Sequence, residues 1–316
     1  MGAQRVAVIG AGAVGSYYGM RLAEAGHDVR FLMRRDYNAV KVDGLHLSSH
    51  LGDLHLAEPK IAKSPEALAE YGPVDWLLIG LKATALPDLP GLAGPLLSER
   101  TRAIAILNGL SVDEEVASAL PGVEIIGGMG FIGVSRGEPG QVHHQEFGAL
   151  NIGHYGDDPD ELQRAVELFD GSVVEIRPEP SLLKARWEKL GWNIPFNGLC
   201  VIAGGVGTDQ VIHDPALHEI AHRIMREVVA AGNADLAAHG ESVRIDGDAL
   251  CHRYLTLTAG MGAYKPSTSI DYNEGRPLEV EAIFRQPAQR AKALGVECPK
   301  MSMVASLVAV LDAQRR

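Results

Sequence analysis

An apolar run of strand length, Arg5–Ile9, leads straight into Gly10-Ala11-Gly12-Ala13-Val14-Gly15, and a helical pattern follows over residues 14–25 until Gly26. Few folds accept strand, G-x-G-x-x-G and helix in that order; it opens the βαβ unit of a dinucleotide-binding domain. Gly10 permits the tight turn, Gly12 lets a pyrophosphate approach the backbone, and Gly15 lets the helix pack closely on its strand. With Ala11, Ala13 and Val14, the loop then presents backbone N–H groups and the positive end of the helix dipole to phosphate. A glycine-rich turn without a ligand is the alternative.

The end of the second strand, predicted over residues 28–33, bears on which dinucleotide is held. NAD sites place an acid there to accept from the ribose hydroxyls. Here the strand runs out into Met33-Arg34-Arg35-Asp36. A guanidinium at Arg34 is suited to grip a 2′-phosphate through paired hydrogen bonds, so NADP, as NADPH, is the expected cofactor. In the alternative, Arg34 and Arg35 are solvated charges and Asp36 takes the ribose.

The rest of the first half alternates short apolar runs with helical patterns, the mark of a parallel sheet with crossover helices. Buried strands are predicted over residues 74–81, 102–107 and 123–127, with helices over 84–97 and 112–119. Residues 45–56 and 141–155 alternate apolar and polar side chains, as antiparallel hairpins do. A helix over 160–169 and a last strand over 172–176 follow. Arg177-Pro178-Glu179-Pro180 reads as an extended linker, because two prolines in four residues oppose helix and sheet alike. Residues 1–178 are therefore expected to form an α/β, Rossmann-type domain and residues 179–316 an all-helical one. In the second, Leu217, Ile220, Ile224 and Val228 share one predicted helix face, and Met303, Leu307 and Val310 share another.

Composition narrows the partners. The chain carries 29 Lys and Arg against 40 Asp and Glu, a net charge of −11. Such a surface repels phosphodiester backbones and anionic lipid, so neither nucleic acid nor membrane is an expected partner. No apolar stretch reaches the about 18 residues of a membrane span, and the glycines of the N-terminal segment argue against a signal peptide. Three scattered cysteines (Cys200, Cys251, Cys298) without a CxxC pair point to a reducing compartment, and a cytoplasmic location is expected.

Further motifs follow in order. Gly80-Leu81-Lys82-Ala83-Thr84 ends one predicted strand and Leu107-Asn108-Gly109 the next. Trp187-Glu188-Lys189-Leu190-Gly191-Trp192-Asn193, with Asn197 four residues on, opens the helical half. Lys265-Pro266-Ser267 precedes Asp271, and Gly275-Arg276-Pro277-Leu278-Glu279 follows. Over nearly the whole chain this series resembles the ketopantoate reductases (2-dehydropantoate 2-reductases).

The resemblance implies a Rossmann domain joined to a helical one and NADPH-dependent reduction of a small 2-keto acid. The first candidate is 2-dehydropantoate, reduced to pantoate in pantothenate biosynthesis; a different 2-keto acid on the same scaffold is the alternative. It implies that the glycine loop, Arg34, Lys82 and Asn108 line the cofactor cleft, with Val134 where the family has a small residue near the nicotinamide. Lys189 corresponds to the catalytic lysine. Glu279 corresponds to the acid that completes the site and touches the cofactor. Asn193 and Asn197 match the asparagines that hold the substrate, Ser267 the serine that binds its carboxylate, and Asn108 also lies near the substrate. A homodimer is compatible with the resemblance. One position departs from the pattern: Gly198 stands where a proline often follows the second asparagine, and the proline falls earlier, at Pro195. There it removes one N–H bond and is expected to kink the helix between the asparagines.

Carbonyl reduction needs such groups. Hydride arriving at a ketone carbon makes an alkoxide, and a lysine ammonium, expected to be charged at neutral pH, both stabilises and protonates it. Lys189, Asn193 and Asn197, at i, i+4 and i+8, drift only about 40° per step and so lie along one helical stripe. From spacing alone, Lys189 could equally be a surface lysine lying over Trp187 or Trp192. Ser267 could be a helix N-cap, and Glu279 a first-turn acid facing the helix dipole.

Other signals carry less. His218-Glu219-Ile220-Ala221-His222 matches H-E-x-x-H, the pattern of a zinc hydrolase, but lacks a credible third ligand, so no metal is expected. His143, His144, Asp157 and Asp158 read as solvated strand and loop residues, and Cys200 as a small buried apolar side chain. A non-catalytic NADP sensor would keep the glycine loop and Arg34 but has no need of the lysine–asparagine stripe.

Overall fold

Val6, Ala7, Val8 and Ile9 have no exposed surface, as befits a strand of a parallel sheet covered on both faces. In the computed structural model, which describes residues 2–315, they form the body of β1 (Arg5–Ile9). The other strands are β2 (Asp28–Leu32), β3 (Leu45–Ser49), β4 (Leu54–Leu56), β5 (Lys60–Ala62), β6 (Trp76–Ile79), β7 (Arg102–Ile106), β8 (Glu124–Arg136), β9 (Gln141–His154) and β10 (Ile176–Pro178). They make one mixed sheet in the order β4-β3-β9-β8-β7-β6-β1-β2-β5, with β10 alongside β9. From β5 to β8 every pairing is parallel, while β8–β9 and β3–β4 are antiparallel. The helices Ala13–Glu24 and Val112–Ala119 are crossovers. From β1 the chain steps outward to β2 and later returns on the other side with β6. Ligands of such sheets bind beyond the carboxyl ends of the strands at that reversal.

The chain divides into two compact units. One comprises Met1–Leu107 and Val112–Leu182, the other Asn108–Ser111 and Leu183–Arg316. The first holds the sheet and its flanking helices, a Rossmann-like arrangement; the second is helical among its described residues. No helix of the described residues is long and apolar enough to cross a membrane.

Several local expectations are corrected. Residues 84–97 break into a 3-10 turn (Ala83–Asp88), a short helix (Leu89–Ala93) and a second 3-10 turn (Gly94–Leu96), because Pro87, Pro90 and Pro95 lack the N–H that continues a helix. β8 runs nine residues beyond the predicted end at Gly127, as far as Arg136; its glycines, which leave gaps in the apolar pattern, hid it. The last strand is Ile176–Pro178, not 172–176. Ser172 N–H turns back to Phe169 O (3.0 Å) and Ser172 Oγ accepts from Val174 N–H (3.2 Å), so pairing with β9 starts only at Glu175 O, which accepts from Leu150 N–H (2.9 Å). Arg177 and Pro178, expected in a linker, belong to this strand.

His144 is buried, not solvated. It contacts the Tyr17 ring, is 2.8 Å from Ser49 Oγ and 3.0 Å from Phe147 O, and burial lowers its pKa. Asp158 caps the Pro159–Glu167 helix, accepting from Asp160 and Glu161 N–H. In the second unit Ile224 and Val228 are buried as expected, but Met303, Leu307 and Val310 are exposed, while Met301, Val304, Ala305 and Val308 pack inward. The Pro299–Ala313 helix is apolar nearly all round, so periodicity alone does not choose its buried face.

Candidate functional site

The glycine loop is built as its spacing demands. Gly10 has φ +89°, and a Cβ there would lie 2.6 Å from the Gly80 carbonyl carbon at the end of β6. A Cβ on Gly15 would come within 2.3 Å of Gly10 O. Both glycines are thus required by the protein's own packing. Gly12 is different: a Cβ there would meet nothing nearer than Gly10 O at 4.0 Å. The fold does not need that glycine, but a group approaching the backbone there does. Gly12 is also the N-cap of the Ala13–Glu24 helix, which has no side-chain cap and no acid in its first turn. The first N–H groups of that helix are therefore left to an anion, and the loop fits a dinucleotide pyrophosphate.

A cleft of about 220 Å³ opens over this loop, lined by Gly10, Ala11, Gly12 and Leu81 and by Arg34, Arg35, Asp36 and Arg136 from its charged side. Arg34 and Arg35 are exposed just beyond β2. Asp36 is ion-paired with Arg136. Lys82, next to the lining residue Leu81, is exposed at the N-cap of the Ala83–Asp88 turn. Val134 sits at a bulge of β8 opposite His144, packed on the apolar core together with Ala11 and Val14.

In the second unit Lys189 lies on the helix Leu182–Trp192, which is held in place on either side of it: Trp187 Nε1–H donates to Asp235 Oδ2 (2.9 Å) and Trp192 Nε1–H to Thr258 Oγ1 (3.0 Å). Lys189 retains some exposed surface, yet protein surrounds its ammonium closely. Desolvation, reinforced by the positive charge of Arg186 and opposed by Glu279, lowers its pKa to about 7. It therefore gives up its proton far more readily than an ordinary lysine, which stays fully charged at neutral pH.

Immediately beyond, Asn193–Asn197 forms a π-turn around Pro195. The missing N–H of proline is absorbed by widening the helix, not by a sharp break. A wider turn advances fewer degrees per residue, which takes back part of the drift between the asparagines. Asn193 is 4% exposed and Asn197 2%. Asn197 Oδ1 accepts from Thr268 N–H (3.4 Å).

Glu279 is buried just before a second π-turn, Glu281–Arg285. The segment leading to it is anchored by Arg276 Nε–H to Asp271 Oδ1 (2.8 Å) and by Leu278 N–H to Asp312 Oδ1 (2.9 Å). Asn108 enters the same unit because its neighbours dock on that turn. Leu110 N–H donates to Ala282 O (2.9 Å), and Gly109, at φ +108°, lies so close that a Cβ would be 2.6 Å from Ala282. Ser267 is exposed as the first residue of the helix Ser267–Asn273; Pro266, not Ser267, takes the N-cap position. Lys189, Glu279, Asn108, Asn193 and Asn197 with its neighbour at Thr268 thus all belong to one unit.

Among the described residues no group of three or more His, Cys, Asp or Glu could hold a metal ion, and Glu219 of the H-E-x-x-H run is paired with Arg223. Cys200 is buried, which pushes its thiol up to about 12, far from a thiolate nucleophile.

Two family models divide the chain between them: ketopantoate reductase PanE/ApbA matches residues 6–157, and its C-terminal counterpart residues 181–312. The chain belongs to the ketopantoate reductase family. It is 34% identical to a 2-dehydropantoate 2-reductase from Nostoc sp., the match covering 100% of this chain and 98% of the relative. The crystal structure of 2-dehydropantoate 2-reductase from Geobacter metallireducens is 40% identical, with a TM-score of 0.90 over 96% of this chain and 99% of that one. D-mandelate dehydrogenase, solved with NADH and anilino(oxo)acetate, shares the fold at 20% identity, with a TM-score of 0.87 over 98% of this chain and 99% of that one.

Sequence reading missed Arg136, which lines the cleft from the end of a glycine-rich strand that no apolar run announces. It also missed Thr268, whose contact with Asn197 spans 71 residues. Neither leaves a local signal.

Proposed function

We propose that this ketopantoate reductase family member reduces a 2-keto acid with NADPH, the first candidate being 2-dehydropantoate, whose product pantoate serves pantothenate biosynthesis. NADPH supplies the hydride when bound. Lys189 then gives its proton to the developing alkoxide, and Glu279 offsets its charge. The observation that carries this reading is the stripe of Lys189, its pKa lowered, with the buried Asn193 and Asn197. An NADP sensor has no use for it. D-mandelate dehydrogenase was solved with NADH and anilino(oxo)acetate on the same fold, so the choice of cofactor and acid rests with individual side chains.

A lysine with pKa near 7 is matched to proton transfer at neutral pH. Its acid form is needed for reduction, and that form is lost as pH rises through about 7. The kcat/KM for reduction is therefore expected to fall on the alkaline side of that value. The reverse oxidation needs the neutral amine and is expected to rise through the same range. Rate profiles in both directions check this; flat profiles between about pH 6 and 9 would remove Lys189 as the acid.

Substrate choice is tested by steady-state assays with ketopantoate and with simpler 2-keto acids lacking its distal hydroxyl. Asn197→Ala is expected to erode a preference for ketopantoate by about 1–3 kcal/mol, the cost of leaving a buried polar group unpaired. An unchanged preference would show that Asn197 is turned away from the ligand and would take from the ketopantoate assignment its main support.

A further inference from the structure

The cofactor cleft holds a contradiction in charge. An acid just past β2 ordinarily accepts from the ribose 2′- and 3′-hydroxyls and repels a 2′-phosphate. Asp36 stands there, two residues beyond Arg34, and lines the same cleft. Left alone, it would work against the phosphorylated cofactor that Arg34 favours. It is not left alone. Its side chain is only 14% exposed and is ion-paired with Arg136, a residue one hundred positions later.

The fold goes to some length to bring Arg136 there. β8 carries two register shifts, between Gly130 and Ile132 and between Gly133 and Val134, and such bulges bend and re-aim a strand. Past Arg136 the chain turns tightly, with Gly137 N–H to Gln141 O (3.0 Å) and Gln141 N–H to Glu138 O (2.8 Å). The turn is then fastened to the segment that follows Asp36: His46 N–H donates to Gly140 O (2.9 Å), and Gly140 sits so near that a Cβ would be 3.1 Å from Gly44 O and 3.3 Å from the Val40 side chain.

We infer that Arg136 is a specificity-determining residue: by holding Asp36 it withdraws the carboxylate from the ribose position and leaves Arg34 and Arg35 to a 2′-phosphate. The paired carboxylate has its acceptor sites filled by a guanidinium and its charge balanced, so it neither binds a ribose diol nor repels phosphate. With Arg136 present the four charged side chains at the rim sum to a net positive site; without it, one bare carboxylate faces the ribose. The inference rests on the NADPH reading above and adds to it a residue outside the β2 end.

The test measures Kd for NADPH and NADH by fluorescence titration on the full-length protein and on Arg136→Met, Asp36→Asn, the double variant and Arg136→Lys. Wild type is expected to bind NADPH the tighter. In Arg136→Met, NADPH is expected to weaken about tenfold or more, the effect of losing a charge-assisted partner, while NADH tightens severalfold as Asp36 is released. The NADH gain is expected to vanish in the double variant, and Arg136→Lys, which keeps a cation beside Asp36, is expected to retain the NADPH preference. Asp36→Asn alone is expected to leave NADH binding within about threefold of wild type, since a sequestered carboxylate contributes little. Equal weakening of both cofactors in Arg136→Met, or an NADH gain that persists without Asp36, overturns the inference. So does a large loss of NADH binding in Asp36→Asn, which needs no Arg136 variant to fold. A wild-type preference for NADH defeats the NADPH reading itself and the inference with it; a wild-type NADPH preference that Arg136→Met leaves unchanged defeats the inference alone.

Discussion

Lys189→Ala is expected to lower kcat for keto acid reduction by about 10²–10⁴-fold, the range of a lost general acid. NADPH affinity is expected to change little, because the lysine serves the reacting oxygen and not the phosphates. Alanine keeps the helix, so the protein is expected to fold. The substitution also carries a stability signature whose sign follows from the lowered pKa. The unfolded chain holds the Lys189 proton up to about 10.5, the folded one only to about 7. Between those values the unfolded state binds more protons, so wild-type stability gains with rising pH from this group. The alanine variant is expected to lack that gain in pH-dependent denaturation. A variant within about threefold of wild-type kcat would exclude Lys189 as the acid, since a general acid contributes far more.

Gly15→Ala and Gly12→Ala are expected to part company, although both alter the same loop. The added methyl at Gly15 collides with Gly10 O at 2.3 Å, and backbone must move to relieve it. Such overpacking costs about 1–3 kcal/mol or more, and the displaced loop is expected to lose NADPH binding by about 100-fold, a shift of the phosphate cradle being equivalent to losing more than one charge-assisted bond. At Gly12 the methyl enters open space, so Tm is expected to fall by only a few degrees, the cost of about 1 kcal/mol by which alanine is a poorer N-cap than glycine. NADPH binding is nevertheless expected to weaken about tenfold or more, because the methyl occupies the approach of the pyrophosphate. Thermal denaturation together with NADPH titration separates the two variants. Wild-type affinity in Gly12→Ala would show that no phosphate approaches there.

Much of this was legible in the order of residues. Strand, glycine loop and helix are consecutive, and their pattern depends on backbone conformation that only glycine adopts or on contact that only glycine permits. β1 and β7 could be read because strands buried on both faces are close to continuously apolar. Of β8 only the start could, because glycines at 127, 128, 130 and 133 erase that signature further on while the antiparallel partner β9 supplies the pairing. The broken helix after Lys82 was legible in its prolines and was misread by following the apolar period alone. On the Pro299–Ala313 helix, hydrophobicity on every side left the buried face to whatever packs against it.

The candidate site divides along the same line. Sequence by itself determined the residue types and their local spacing: Lys189, Asn193 and Asn197 along one helix, Gly10, Gly12 and Gly15 around one turn, Arg34 beyond one strand. These relations span at most eight residues, within reach of helix and turn geometry. Only the tertiary structure decided the partners. Asp36 meets Arg136, Asn197 meets Thr268, and Gly109 lies against Ala282, each pair separated by about seventy residues or more, with no local pattern to announce it. It also decided charge: Lys189 is an ordinary lysine by sequence, and its pKa near 7 exists because surrounding protein takes water from the ammonium and sets Arg186 and Glu279 beside it. Desolvation is a property of everything packed around a group, which no stretch of sequence contains.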